Sequence, residues 1–164
     1  MAQYNTKQIR NIALAGHGGS GKTSLAEAML YVSGGTDRLG NVPDGNTVCD
    51  YDAEEQARKF SLSAAVAHVF WKDVKINVID TPGYLDFEGE VAQGARVADS
   101  VVICVDGKAG MEVGTELAWE HAEKAGVPKA FFINKCDNYI AQTMSKLLLM
   151  LLQAHGWIRT PVYI

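Results

Sequence analysis

The run Gly16-His17-Gly18-Gly19-Ser20-Gly21-Lys22-Thr23 has the residue types and the spacing to hold a polyphosphate. It fits the pattern G-x-x-x-x-G-K-[S/T] at every position. Its glycines let backbone N–H groups turn inward around phosphate oxygens, and a helix starting there offers its positive end. The Lys22 ammonium can reach terminal phosphates as a point charge. The Thr23 hydroxyl can bind Mg²⁺, which prefers oxygen ligands and keeps substrate phosphates among them. Ser24, the next residue, completes the candidate set. A glycine-rich turn matching by chance is the bland alternative. A strand before the motif and a helix after it argue against that. The motif alone does not separate ATP from GTP.

Two further runs bear chemistry. In Asn134-Lys135-Cys136-Asp137, a carboxylate at Asp137 can accept two hydrogen bonds from guanine, at N1–H and the exocyclic amine. Adenine offers neither, and a site built for hydrogen bonds rejects a partner lacking them. Lys135 can lay its aliphatic stem over a base, and Asn134 can tie this loop to the phosphate loop. A strand-ending Asn and a helix-capping Asp explain the same letters. In Asp80-Thr81-Pro82-Gly83, the Asp can hold Mg²⁺ through water, and the side-chain-free Gly83 amide can approach a γ-phosphate. The plain alternative is an Asp-containing turn with Pro at its second corner.

Elements must bring these runs together, and the periodicity supplies them. Residues 9–15 read as a strand, and 23–32 as a helix with Leu25, Ala28, Met29 and Val32 on its apolar side. Residues 33–61 show little periodicity and much Gly, Asp, Asn and charge, as a long functional loop would. Residues 62–71 and 74–80 read as a hairpin across Lys72-Asp73. Then follow a helix over 88–97, a strand over 100–106, a helix over 112–125, a strand over 129–134 and a helix over 138–155. In the last helix Ile140, Met144, Leu147, Leu148, Leu151 and Leu152 share a face. Pro161–Ile164 begins another extended segment. This alternation predicts an α/β fold: a mostly parallel six-stranded sheet, one antiparallel edge strand and helices on both faces. Ligands of such sheets sit at the carboxyl ends of the strands, where the three runs lie.

Composition narrows the function classes. At 164 residues the chain has one domain's length. Its net charge of −4 gives no basic footprint, so DNA binding is not expected. Cys49, Cys104 and Cys136 lack zinc or disulfide spacing, which fits a reducing cytoplasm. Cys104, in an apolar run, reads as a small buried residue. The longest apolar stretch, Leu147–Leu152, is six residues, far short of the roughly 18 of a membrane span. His17 reads as a loop residue beside the phosphates. His68, His121 and His155 lack ligand spacing. Glu54, Glu55, Arg58 and Lys59 read as a solvated face.

The three runs, in this order and spacing, resemble the P-loop GTPase superfamily. The segments between them are similar to elongation factor G and its relatives, ribosome-protection proteins included. Leu25–Tyr31, Gly40–Gly45, Asp50-Tyr51-Asp52, Glu54–Arg58, Thr81–Phe87 and Val105–Glu112 carry the likeness, which covers about residues 8–164. The resemblance implies a P-loop GTPase fold, GTP and GDP as ligands with Mg²⁺, the ribosome as partner and a step of protein synthesis as function. It implies that Ser61, where threonine is usual, gives Mg²⁺ and the γ-phosphate a hydroxyl. Catalytic roles would fall to Lys22, Gly83 and Tyr84. It also implies that the chain, ending before the Ser-Ala loop that completes the guanine pocket, is an incomplete GTP-binding domain. Weakened nucleotide binding is then expected.

This sequence departs from that pattern at two places. Tyr84 stands where histidine usually positions the attacking water, and a neutral phenol cannot carry an imidazolium's charge, though it can hydrogen-bond water. Gly18-Gly19 replace an apolar residue and an aspartate, which opens one side of a hydrophobic gate that bulky Phe60 and Tyr84 could refill. Slower hydrolysis, or a switch or ribosome-protection role with little intrinsic turnover, is the second expectation. An ATPase, with Asp137 purely structural, is the third.

Overall fold

The computed structural model describes residues 4–137. The elements are β1 (Ile9–Ala15), α1 (Lys22–Val32), α2 (Ala53–Arg58), β2 (Ala65–Trp71), β3 (Val74–Asp80), α3 (Glu88–Val97), β4 (Ser100–Asp106), α4 (Val113–Ala125) and β5 (Lys129–Asn134), with three short 3₁₀ turns. Five described strands form one sheet in the order β2-β3-β1-β4-β5. All neighbours are parallel except the β2–β3 hairpin at the edge. The helix expected over 138–155 and the sixth strand expected from Pro161 lie outside the described residues.

Strand alternation sorts the apolar side chains between two faces. Ala13, Ala15, Ile79, Val101, Ile103 and Val105 point to one side and pack with Val91 and Ala95 of α3 and Ala118 and Ala122 of α4. Leu14, Val78, Ala65, Ala67 and Val69 point to the other and pack with Ala26 and Leu30 of α1. The small residues on α3 and α4 let the helices sit close to the sheet.

Caps fix the ends that matter for the site. α1 has no side-chain cap; it begins at Gly21, with φ +97, so its first N–H groups remain open to an outside acceptor. Asp52 caps α2 in a reciprocal box with Glu55. Gly126, with φ +69, ends α4. Lys72 turns the hairpin with φ +52, the left-handed conformation that two-residue hairpin loops require.

One expectation is refined and two need correction. The most buried positions of α1 are Lys22, Thr23, Ala26, Glu27 and Leu30, while Leu25, Ala28, Met29 and Val32 share one side of the helix as expected, with Val32 exposed. Those residues face an apolar groove of about 330 Å³ toward Val69, Trp71 and Ile76. Periodicity picks the right spacing and misses that a carboxylate, Glu27, occupies the inner stripe. Residues 33–61 hold a helix, α2, and a turn at Val42–Asp44; six helical residues are too few to show a period. The hairpin's first strand starts at Ala65, because residues 62–64 spend their amides on side-chain carboxylates instead of a neighbouring strand.

Candidate nucleotide-binding site

β1 delivers the phosphate loop, β3 delivers Asp80, and β5 delivers Asn134, all at one end of the sheet. A cleft of about 510 Å³ runs between them, lined by Gly18, Lys22, Thr23, Ser24, Gly83, Tyr84, Asn134 and Lys135 on one part. Asn41, Val42, Pro43, Asp50, Lys59, Phe60 and Ser61 complete its walls. The apolar groove beside α1 offers no cation to a phosphate, so the charged ligand belongs in the larger cleft.

The loop's shape is set by close backbone approaches. A Cβ on Gly16, where φ is +135, would overlap the Cys104 carbonyl oxygen. One on Gly21 would overlap Asn134 Nδ2, and one on Gly83 would overlap Lys22 Nζ. No L side chain fits at these three positions without movement. His17 braces the loop from outside, its Nδ1 accepting the Gly114 amide at 3.3 Å at the start of α4. Its Nε2 lies 3.5 Å from Glu112.

Lys22 is buried, and its ammonium donates to the carbonyls of Gly16 at 3.1 Å and His17 at 2.9 Å. Burial lowers its pKa, and the charges of Asp80, Cys104 and Asp50 oppose that shift. Asp80 is fully buried, and neither carboxylate oxygen has a hydrogen-bond partner among the described residues. Burial raises its carboxyl to about 7, against the pull of the nearby Thr23 hydroxyl and the Lys22 ammonium. Two orphan oxygens on a buried carboxylate are costly unless something cationic meets them. Thr23 Oγ1 and Ser61 Oγ stand 3.4 Å apart beside it, and the Ser61 hydroxyl donates to Asp50 at 2.6 Å. This is an oxygen-only donor set, the kind that suits Mg²⁺.

At the other end, Asn134 Nδ2 donates to the Ser20 carbonyl at 3.0 Å, tying the two loops together. The Lys135 ammonium donates to the Gly19 carbonyl and to Asp106, each at 2.7 Å. These two bonds fix the tip of its stem. Asp137 is exposed at the end of the described chain. Thr81 is buried and points away from the cleft, its hydroxyl donating to the Leu14 carbonyl at 2.7 Å, so its work is structural. The Tyr84 ring lies against Gly18, with ring carbons 3.3 Å from where a Cβ would stand. On its other side it meets Phe60, with ring centroids 4.5 Å apart. The room left by Gly18 is filled by this aromatic pair.

Sequence reasoning missed the acids that hold the 33–61 segment. Glu27 on α1 is buried and accepts the amides of Val48 at 2.6 Å and Gly40 at 3.1 Å. Glu55 is also buried and accepts the amides of Leu62 and Ser63, which corrects its reading as a solvated residue. Glu54 and Arg58 do form an exposed pair, at 2.7 Å. Lys59 lines the cleft. Asp50 accepts from both Thr47 and Ser61. For Asp50 and Glu55 the only sequence signal was acidic residues inside a segment otherwise read as loop; Glu27 gave none beyond being one more helical glutamate.

A strand-loop-helix with a glycine cage, a buried lysine, a cation-ready carboxylate and a second loop clamped by Asn134 defines a P-loop nucleotide-binding domain. Residues 7–155 match the family model of the elongation factor Tu GTP binding domain, and the chain belongs to that family. Over 136 residues it is 43% identical to the mitochondrial ribosome-releasing factor 2 of Schizosaccharomyces pombe, covering 83% of this chain and 17% of that protein. It is 40% identical to elongation factor G of Chlamydia caviae, covering 87% of this chain and 21% of that protein. A solved structure from Thermus thermophilus superposes with a TM-score of 0.84 at 36% identity, covering 96% of this chain and 24% of that one. The chain thus spans about a fifth of the length of its relatives. It is a GTP-binding domain of the elongation factor G type, and no helix among the described residues is long and apolar enough to cross a membrane.

Proposed function

We propose that these 164 residues serve as the Mg²⁺-dependent GTP-hydrolysing domain of a ribosome-associated, cytoplasmic translation factor. The names of its relatives, elongation factor G and ribosome-releasing factor 2, support a role in translocation or ribosome release. The observation that carries the chemical part is Asp80: a buried carboxylate with two oxygens unpartnered among the described residues, near the Lys22 ammonium and the Thr23 hydroxyl, which Ser61 adjoins. Those donors fit Mg²⁺, which Thr23, Ser61 and Asp80 would hold. When bound, the ion neutralises charge on the β- and γ-phosphate oxygens.

The chain's own residues do the rest. Lys22 releases the Gly16 and His17 carbonyls and turns its ammonium to the β- and γ-phosphates. The amides of Gly18 to Thr23 surround the phosphates, and the Gly83 amide meets the γ-phosphate from β3's end. Asp137 selects guanine, and the Lys135 stem, held at its tip by Gly19 and Asp106, covers it. The Tyr84 phenol hydrogen-bonds the attacking water, and Phe60 and Tyr84 together keep other water out. Hydrolysis then gives GDP and phosphate by in-line attack.

Tyr84 also favours a second reading, a nucleotide switch with little intrinsic hydrolysis, because no imidazole stands there. Single-turnover hydrolysis of GTP, with and without ribosomes and with ATP as competitor, separates the readings. Mg²⁺-dependent, ribosome-stimulated GDP formation that excess ATP does not suppress is expected. Nucleotide exchange without turnover in either condition would select the switch. A Tyr84→His variant should turn over faster; unchanged ribosome-stimulated turnover would remove Tyr84 from the water-positioning role.

A further inference from the structure

We propose that Lys59 is a nucleotide-contact residue, bringing a positive charge to the phosphates from the 33–61 side of the cleft. This deepens the GTP-binding reading and rests on it. Four observations converge on the residue.

The first is its backbone. Lys59 ends α2 with φ +61 and ψ +35, the left-handed region, while its amide donates to the Glu55 carbonyl at 2.7 Å. Glycine adopts that conformation freely and lysine does not. Strained side-chain-bearing residues of this kind gather at functional sites, where their surroundings hold them in place. The second is its position. Lys59 lines the same cleft as Lys22, Thr23 and Lys135. It lies two residues before Ser61, whose hydroxyl is 3.4 Å from that of Thr23. A lysine stem reaches across that distance.

The third is the space made for its ammonium. A Cβ on Gly45 would stand 2.9 Å from Lys59 Nζ, so the side chain folds back against the turn at Val42–Asp44, which lines the cleft as well. The fourth is charge. The Lys135 ammonium is neutralised by Asp106, and Asp50 and Asp80 place two carboxylates at the phosphate end. Among the described residues Lys59 has no carboxylate within salt-bridge distance. Of the cleft's three lysines it is the one whose charge is not engaged with protein groups among the described residues. A triphosphate entering the cleft brings several negative charges, and an unpaired ammonium on the wall lowers the electrostatic cost of receiving them.

The test is calorimetric titration of the chain with Mg–GDP and with Mg plus a non-hydrolysable GTP analogue, at low and high salt. Parent, Lys59→Met, Lys59→Gly and a remote control, Lys124→Met, are compared. Lys59→Met and Lys59→Gly should each weaken the triphosphate by roughly three- to tenfold at low salt, with the gap closing at high salt. Lys59→Gly should melt no lower than the parent, since it relieves the left-handed strain. The control should bind as the parent does. A Lys59→Met chain that binds like the parent at low salt would overturn the proposal, and its ammonium would then serve solvent or a partner's phosphates, such as RNA. A loss in Lys59→Gly alone would assign the effect to backbone conformation and overturn it too. If the parent itself takes up no guanine nucleotide, the GTP-binding reading fails, a result distinct from a parent that binds and variants that match it.

Discussion

Two regions wall the same cleft and are built by opposite means. The phosphate loop is held by missing side chains: at Gly16, Gly21 and Gly83 any Cβ would collide with a neighbouring atom. The 33–61 segment is held by side chains reaching in: Glu27, Asp50 and Glu55 accept its amides and hydroxyls. Steric fixing gives a wall with one shape. Fixing by a few hydrogen bonds, each worth about 0.5–1.5 kcal/mol net, or about 1.5–3 to a charged group, gives a wall that can let go. A nucleotide switch needs one of each, a rigid cradle and a part whose order depends on what the cradle holds.

The largest effect is expected where the rigid wall is broken. Gly16→Ala puts a Cβ against the Cys104 carbonyl, a backbone atom that cannot move without disturbing β4. Loss of stability on the order of 3 kcal/mol, or failure to fold, is expected, with nucleotide binding lost in either case. Urea unfolding measures it; a Gly16→Ala chain as stable as the parent would mean the loop is softer than its contacts imply. Lys22→Met should separate the two roles of this wall. Nucleotide affinity should fall about a hundredfold or more, as for a charged group lost from a phosphate site. Stability should hold or rise, because burial already lowers the lysine's pKa and so disfavours its charge.

Breaking the other wall should act on order more than on the global fold. Glu27→Ala strands the amides of Gly40 and Val48. A cost of about 1–3 kcal/mol is expected, concentrated in residues 40–48. Hydrogen exchange reads this out: protection should fall in that segment and in α2 while β1, β3 and β4 keep theirs. A uniform loss across the sheet would erase the contrast between the walls. Glu27→Gln, which keeps one carbonyl acceptor, should sit between.

The same contrast explains what was legible in the sequence. A wall fixed by sterics writes itself as glycine spacing, so the phosphate loop, Gly83 and Asn134 were readable as motifs. The sheet was readable too: β1, β3, β4 and β5 begin and end where short apolar runs do, because strands covered on both faces favour nearly continuous apolar runs. A wall fixed by carboxylate-to-amide bonds leaves no pattern. Glu27 and Glu55 are spelled like solvated glutamates, and only the chain's path brings the amides to them. Lys59 was obscured for the same reason, since nothing in Arg58-Lys59-Phe60 announces a left-handed turn. Tyr84 was legible as a departure, but its fit against Gly18 needed coordinates.

The smallest predicted effect lies where the rigid wall meets the base-side loop. Partial burial pushes the Asp106 carboxyl up, but the Lys135 ammonium and the amides of Lys108 and Ala109 together hold it below its ordinary value of 3.8. A carboxyl depressed in the folded state is stabilising while ionised. That contribution is complete above the unfolded value and disappears as pH falls through the lower folded value. The Lys135 side chain is 48% exposed, so screening keeps the pair's contribution under about 1 kcal/mol. Asp106→Asn should therefore cost a few tenths of a kcal/mol near about pH 7, and that cost should shrink as pH falls through the carboxyl's lowered folded value. Denaturant midpoints of the two chains across that range check the convergence. In the nucleotide-bound form the loss at neutral pH should grow, because without Asp106 the Lys135 ammonium is held by the Gly19 carbonyl alone and its stem is less fixed. Equal penalties with and without nucleotide would place this ion pair in the scaffold and leave base binding to Asn134 and Asp137 alone.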